Sequence, residues 1–118
     1  MFILIFTKDF DEKYTQVIKK SKQIEKKVRK ALHFLEQDPF YPSLKTHKAN
    51  TKNYGEKWSS RATGDIRIIW DFDSENRLVI FLLDIGKHSG THKVYSWTQT
   101  ILDDEEYFPQ KFDKLLIL

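Results

Sequence analysis

Apolar residues in the first third of the chain follow two different spacings. Residues 2–6 form an uninterrupted apolar run, which predicts a short buried strand. Farther along, apolar residues recur every three or four positions, the spacing that places side chains on one side of an α-helix. These residues are Tyr14, Val17, Ile18, Ile24, Val28, Ala31, Leu32 and Leu35. The pattern predicts one amphipathic helix, or two helices separated near Lys20 and Ser21.

The ends of this helical region carry their own signals. Asp9 is predicted as the N-cap, because Glu12 stands three residues later as the reciprocal partner of a capping box. Asp38 and Pro39 predict the end, since proline disfavours helical backbone geometry in the residue before it. The polar side is basic and carries Lys19, Lys20, Lys22, Lys26, Lys27, Arg29 and Lys30. This basic side has two interpretations: a solvated helix surface, or a docking surface for RNA phosphates.

The second half of the chain has the spacing of β-strands. Apolar and polar residues alternate from Ile66 to Phe72, which predicts a strand with one side on a core. Residues 78–83 are apolar on both sides, as in a central strand. Less regular segments are predicted as a loop at residues 39–48, an exposed polar segment at 49–56, and strands at 58–62 and 91–97.

The order of these elements predicts an α+β fold. An N-terminal strand and one or two helices precede a three- to four-stranded, mainly antiparallel sheet. Helices that precede such a sheet are expected to cover one of its faces and to leave the other face open. Arg67 lies between Ile66 and Ile68, and neighbouring residues of a strand point to opposite faces. We therefore expect Arg67 on the open face.

Composition and charge narrow the class of protein. The chain has 118 residues, 40% of them hydrophobic, which predicts one domain with one core. It has no cysteine, hence no disulfide framework and no thiolate chemistry. The apolar residues 1–6 are too few to span a membrane and lack the flanking features of a signal peptide. We expect a soluble cytoplasmic protein without a membrane partner.

The charges are unevenly distributed along the sequence. Residues 1–98 hold 18 Lys and Arg against 12 Asp and Glu, whereas residues 99–118 hold 2 against 5. A basic body followed by an acidic tail suits a polyanionic partner, which the tail could screen or regulate.

Polar residues that suit RNA chemistry gather in the segments predicted around the open face. They are Lys45, His47, Lys48, Arg61, Arg67, Lys87, His88, His92, Lys93 and Tyr95. Histidine titrates near neutral pH, so one histidine can take the proton of a 2′-hydroxyl and another can protonate the leaving 5′-oxygen. Arginine and lysine can stabilise the charge on the phosphorane. No carboxylate ligand accompanies the histidines, so the sequence favours RNA cleavage without a metal or cofactor.

Three segments of the chain carry a family resemblance. They are residues 38–48 (DPFYPSLKTHK), residues 64–70 (GDIRIIW) and residues 84–95, which contain the turn Gly86-Lys87-His88 and end in Val94-Tyr95. With the order of elements, they resemble the RelE/ParE toxin superfamily and, within it, the RelE and YafQ-like mRNA interferases. The resemblance extends over residues 1–97, which we expect to be the toxin domain.

The resemblance implies a type II toxin that cleaves mRNA in the ribosomal A site, uses no metal and is neutralised by a cognate antitoxin. By position in the motifs, it implies four catalytic residues: His88, His47 as the base, Arg67 in contact with the scissile phosphate, and Tyr95 as an aromatic residue near the site. Substrate-binding roles are predicted for Lys45, Arg61, Lys87 and His92.

The chain also departs from the family pattern. Residues 89–91 lengthen the histidine turn, so either His88 or His92 could be the active histidine; His88 fits better because Gly86 and the preceding strand match in register. Ile66 stands before Arg67, where many members have tyrosine. Residues 98–118 have no recognisable counterpart and are expected to form a C-terminal extension that packs on the core, covers the open face or binds a partner.

Two other functions fit the same fold. A ParE-type toxin poisons a DNA topoisomerase by binding, and the histidines argue against this function because binding alone needs no acid or base. An inactive RNA-binding relative would lack the site residues, which are present in this sequence.

Overall fold

The computed structural model describes residues 1–88 together with residues 94 and 95. Two helices pack on one side of a five-stranded sheet, which confirms the predicted α+β fold. The elements are β1 (Ile3–Phe6), α1 (Lys8–Ile18), α2 (Lys22–Gln37), a 3₁₀ turn (Pro42–Leu44), β2 (His47–Thr51), β3 (Gly55–Arg61), β4 (Ile66–Phe72) and β5 (Val79–Lys87). His92, Lys93 and the predicted extension at residues 98–118 lie outside the described residues.

Two hydroxyl side chains determine where the helices begin. The Oγ1 atom of Thr7 and the Oγ atom of Ser21 each accept a hydrogen bond from the backbone N–H three residues farther on, at 3.3 and 3.0 Å. The predicted N-cap at Asp9 is therefore wrong, because Thr7 already satisfies the first turn of α1. The predicted break near Ser21 and the end of the helical region before Pro39 are confirmed.

The sheet has the strand order β1-β5-β4-β3-β2, with β1 parallel to β5 and the other neighbours antiparallel. Strand β2 was not predicted, since its residues were divided between a loop and an exposed segment. Within β2 the buried side chains are those of Ala49 and Thr51, which are too small and too polar to produce a hydrophobic signal. Because both side chains are buried, the prediction of an exposed segment at residues 49–56 is wrong for the part that belongs to β2.

The two sides of the sheet are filled differently. The helix face, on which α1 and α2 pack, carries the main core; its largest fully buried members are Phe10, Val28, Leu35, Leu44, Ile68, Trp70, Ile80, Leu82 and Ile85. The opposite side, called the open face below, carries a small cluster formed by Ala49, Ile69, Val94 and Tyr95. The sheet thus has one side devoted to packing and one side with room for polar chemistry.

One extra residue, Leu83, interrupts the pairing of β4 with β5. Leu82 and Ile85 both reach the main core although they are three positions apart. A bulge of this kind changes the direction in which the following side chains point. Beyond it, Lys87 lies opposite the core residue Ile66 and therefore belongs to the helix face.

Candidate functional site

Strand register brings several predicted site residues onto the open face. His47 in β2 lies directly opposite Ser59 in β3, and Arg61 in β3 lies directly opposite Arg67 in β4. Directly opposed residues of an antiparallel pair share a face. Arg67 occupies the face away from the main core, as predicted from its position in the alternation.

Two lysines that were grouped with the open face lie on the helix face instead. Lys48 places its Nζ atom 4.6 Å from the ring centroid of Trp58, its cross-strand neighbour. Lys87 lies opposite Ile66 and lines a cavity beside α1. The grouping was wrong because adjacent strand residues alternate, so Lys48 cannot share a face with His47.

Tyr95 forms the centre of the candidate site. Its side chain is fully buried, and its hydroxyl forms a 2.6 Å hydrogen bond with the Oγ atom of Ser59. Its ring centroid lies 5.3 Å from that of His88 in an edge-to-face arrangement, and 6.5 Å from that of His47. A single buried aromatic ring therefore positions both candidate histidines.

The backbone around Tyr95 holds the site together. Tyr95 forms a bridge with Thr51 at the free edge of β2, and the backbone N–H of Lys52 donates to the carbonyl of Val94 at 2.8 Å. The N–H of Val94 in turn donates to the carbonyl of Lys87 at 2.9 Å. The end of β5 is thereby tied to β2, although β5 and β2 are separated by two strands in the sheet.

His47 has a defined arrangement of its two ring nitrogens. Its Nδ1 atom lies 2.9 Å from the carbonyl oxygen of Lys45, which can only accept a hydrogen bond. In neutral His47 the Nδ1 atom therefore carries the proton, and Nε2 has the free lone pair. Lys45 presents this carbonyl from a left-handed backbone conformation with φ of 47°, uncommon for a residue other than glycine.

His88 is fixed through its backbone as well as through its ring. Its N–H donates to the carbonyl of Asp65 at 2.7 Å, which attaches the end of β5 to the turn before β4. The side chain is half-buried beside Tyr95. His88 thus stands between the Tyr95 ring and the turn that leads to Arg67.

The two open-face arginines converge on one backbone carbonyl. The Nε atom of Arg61 donates to the Thr63 carbonyl at 3.4 Å, and Nη1 of Arg67 donates to the same oxygen at 3.0 Å. The Asp71 carboxylate binds Lys57 at 3.0 Å, and in the part of the chain that the structure describes neither arginine has a carboxylate partner. Two neighbouring guanidinium groups without a counter-charge make a ready site for an anion such as phosphate.

Sequence reasoning missed two residues of this arrangement. Ser59 is completely buried and orients Tyr95, while Thr63 supplies the carbonyl that holds both arginines. Ser59 could have been found from strand alternation, because it lies between Trp58 and Ser60 in β3 and must point to the open face with His47. Thr63 acts through its main chain, for which the sequence has no signal.

Within residues 1–88, 94 and 95, no group of three or more histidine, aspartate or glutamate side chains is arranged to hold a metal ion. The same residues contain no helix that is both long enough and apolar enough to cross a membrane.

Comparisons with known proteins identify the fold. No family model matches the sequence, and the comparison with curated proteins gives no significant match. Three similar solved structures are the YoeB dimer from Staphylococcus aureus, the YoeB–YefM complex from Staphylococcus aureus and a YoeB/ParE toxin from Agrobacterium tumefaciens. The YoeB dimer superposes with a TM-score of 0.55 at 18% identity, over 70% of this chain and 92% of YoeB. The YoeB–YefM complex superposes with a TM-score of 0.55 at 17% identity, over 72% of this chain and 94% of the matched chain. The Agrobacterium toxin superposes with a TM-score of 0.56 at 13% identity, over 80% of this chain and 99% of the toxin. The fold of this chain is therefore the one that these YoeB and YoeB/ParE structures share.

Proposed function

We propose that this protein is the toxin of a type II toxin–antitoxin pair and an endoribonuclease that cleaves mRNA without a metal ion, in the A site of the ribosome. The observation that carries the proposal is that the rings of His47 and His88 both lie near the ring of Tyr95, on the same face as Arg61 and Arg67. In-line attack by a 2′-hydroxyl requires two proton-transfer groups and nearby cations, and within the described residues the two arginines have no carboxylate partner.

The tautomer of His47 supports a base role for His47, which leaves the acid role to His88. Nε2 of neutral His47 takes the proton of the 2′-hydroxyl, since Nδ1 already carries a proton that is donated to the Lys45 carbonyl. The 2′-oxygen then bonds to phosphorus while the bond from phosphorus to the 5′-oxygen breaks. Protonated His88 gives its proton to that leaving oxygen, so the products are a 2′,3′-cyclic phosphate and a free 5′-hydroxyl.

The cations and Tyr95 have different tasks in this reaction. Arg61 and Arg67 bind the non-bridging oxygens of the phosphate, whose charge increases in the transition state. Tyr95 has no exposed surface, and its hydroxyl is bonded to Ser59, so we assign it a positioning role rather than contact with RNA. Lys45 is exposed next to His47 and is placed to contact the RNA backbone.

The proposal includes a cognate antitoxin as a partner. One solved structure with this fold is a YoeB–YefM complex, in which the toxin is bound to its antitoxin. An antitoxin of this chain would have to cover or distort the open face, because the proposed chemistry takes place there.

The test is primer extension on a defined mRNA in a reconstituted translation reaction. Wild-type protein should cleave within the A-site codon, and His88→Ala should cleave about 10²–10⁴-fold more slowly, because it lacks the general acid. His33→Ala is the matched control, since His33 is exposed on α2 and away from the open face, and it should keep full activity.

The other outcomes have defined meanings. Full activity of His88→Ala would contradict the assignment of His88 as the acid. Cleavage in the absence of ribosomes would leave the endoribonuclease in place but contradict its ribosome dependence. No cleavage under any condition, with DNA breaks that depend on gyrase, would instead indicate a ParE-type toxin.

A further inference from the structure

A second group of cations surrounds a cavity on the helix face, outside the site described above. The cavity has a volume of about 310 Å³ and lies between α1, the turn that joins β2 to β3, and the end of β5. Its polar lining consists of Lys13, Gln16, Lys20, Lys52, Asn53 and Lys87. Four lysines, one glutamine and one asparagine thus line one small space.

Most of this positive charge is not neutralised by the protein. Lys13 is bound at 2.7 Å to the carboxylate of Asp84, which is only 1% exposed and is held in turn by the N–H of Ile85. In the described part of the chain, Lys20, Lys52 and Lys87 have no carboxylate partner. Three ammonium groups brought to one cavity repel one another, and a bound anion would remove that repulsion.

The lining also limits the kind of anion. Ammonium and carboxamide groups donate hydrogen bonds from several directions, which suits the multiple oxygens of a phosphate. Val17, Ile66 and Ile85 are buried and complete the lining, whereas Gln16, Lys20, Lys52 and Asn53 are exposed. Because Lys20 and Lys52 are exposed, added salt screens their attraction for an anion, and binding should weaken as the ionic strength rises.

Strand alternation connects this cavity to the candidate active site. Lys87 and His88 are successive residues at the end of β5, Lys87 beside the cavity and His88 beside Tyr95 on the open face. We infer that the cavity binds a backbone phosphate of the RNA that neighbours the one cleaved, so that the strand passes over the end of β5. This inference rests on the proposed function, because it takes RNA to be the ligand of the open face.

Binding of an uncleavable RNA tests the inference without using the chemistry of the site. The probe is a fluorescein-labelled hexanucleotide of 2′-O-methyl RNA, and its affinity for the full chain is measured by anisotropy at several KCl concentrations without ribosomes. The cavity variant is Lys20→Gln with Lys52→Gln. The matched control is Lys22→Gln with Lys26→Gln, which removes the same charge from the exposed basic side of α2.

The cavity variant should bind the hexanucleotide about tenfold more weakly at low salt, because charge-assisted hydrogen bonds to one phosphate are lost. The slope of log K against log [KCl] should decrease by about 0.7 for that phosphate. The control variant should bind within twofold of wild type. Equal weakening in both variants, or weakening in the control alone, would overturn the inference.

Two further probes identify the source of the phosphate. The first probe is inorganic pyrophosphate. If it binds the wild type as tightly as the hexanucleotide does, and this binding is lost in the cavity variant, the cavity is a site for free phosphate compounds and the assignment to RNA is overturned. The second probe is a glutamate-rich peptide. If it binds the wild type as tightly as the hexanucleotide does and fails to bind the cavity variant, the ligand is an acidic protein segment and the assignment to a phosphate is overturned. Absence of cleavage by the wild-type protein in the translation reaction, with the hexanucleotide result intact, would contradict the proposed function and leave the cavity as a site for an RNA phosphate that is not next to a cleaved one.

Discussion

The helix face and the open face of one sheet are built in opposite ways. The helix face buries a continuous core from both helices and from strands β4 and β5, including the fully buried Trp70 and Leu82. The open face buries a cluster of four residues around Tyr95 and leaves His47 exposed and Arg67 half-buried. The difference shows that stability and chemistry can be assigned to opposite sides of the same strands, so that changes on one side test each role separately.

The largest expected effect comes from a pair of neighbouring residues in β5. Leu82→Ala should lower the free energy of unfolding by about 2–5 kcal/mol, because it leaves a cavity in the main core. Leu83→Ala is the matched change on the open face, where the side chain is only half-buried, and it should cost about 1 kcal/mol. Urea unfolding followed by circular dichroism measures both values. Equal losses would mean that the two faces contribute alike to stability.

The next prediction reverses this comparison by removing charge from the open face. Arg67→Gln should reduce cleavage about 10²–10³-fold, since a preorganised donor to the transition-state phosphate is lost. Its stability should change little, because among the described residues the Arg67 side chain bonds only to backbone carbonyls of residues 63, 64 and 66. Arg77→Gln, at an exposed arginine beside Phe72, is the control and should cleave normally. A loss of stability that matched the loss of cleavage would show that Arg67 is structural.

The sequence predicted the helix face much better than the open face. The residues of α2 and β4 repeat with clear helical and strand spacing, so their bounds and their buried sides were predicted correctly. Asp9 was mistaken for a cap because it satisfies the capping-box pattern, whereas Thr7 performs that role in the structure. The helix face is determined by apolar burial, which leaves a periodic signal in the sequence.

The open face depends on contacts between residues far apart in the sequence, and these leave no periodic signal. Strand β2 was missed because its buried side chains are small, and without β2 the face of Lys48 could not be assigned. The face of Lys87 was predicted wrongly because the extra residue Leu83 shifts the alternation of β5. The choice of His47, His88 and Arg67 came from residue chemistry and family resemblance. The bond between Ser59 and Tyr95 joins residues 36 positions apart and could be found only from the structure.

A smaller effect is expected from the bond that organises the open face. Tyr95→Phe removes the partner of the fully buried Ser59 hydroxyl and should cost about 1–3 kcal/mol, the penalty for an unsatisfied buried polar group. Adding Ser59→Ala should restore most of that stability, because both partners are then apolar. Unfolding of the two single variants and the double variant forms a double-mutant cycle. Additive losses would contradict the coupling of Ser59 with Tyr95.

The same variants separate positioning from catalysis on the open face. If Tyr95 only positions the histidines, Tyr95→Phe keeps the ring that contacts His88 and should reduce cleavage less than tenfold. A reduction as large as that of His88→Ala would instead give the tyrosine hydroxyl a direct part in the reaction.

The smallest effect concerns a contact between the β2–β3 turn and α1. The Tyr54 hydroxyl donates to the Asp9 carboxylate at 2.5 Å. Partial burial raises the pKa of Tyr54 to about 12, and the hydrogen bond to Asp9 contributes to this increase. Because the pKa is higher in the folded than in the unfolded protein, the stabilisation is complete below pH 10 and is lost as the pH rises towards 12. Tyr54→Phe should therefore be about 1 kcal/mol less stable than wild type at pH 8, and the difference should shrink above pH 10.

Urea unfolding at pH 8 and at several values above pH 10 measures this difference. Tyr41→Phe serves as the control, because Tyr41 stacks on Phe34 and no hydrogen bond of its hydroxyl is present among the described residues. A Tyr54→Phe difference that did not depend on pH would mean that packing of the ring, rather than the bond to Asp9, joins the turn to α1. In that case the β2–β3 turn would resemble the helix face, where packing provides stability. The turn residues Lys52 and Asn53, which line the lysine-rich cavity, would then be held in place without an ionisable contact.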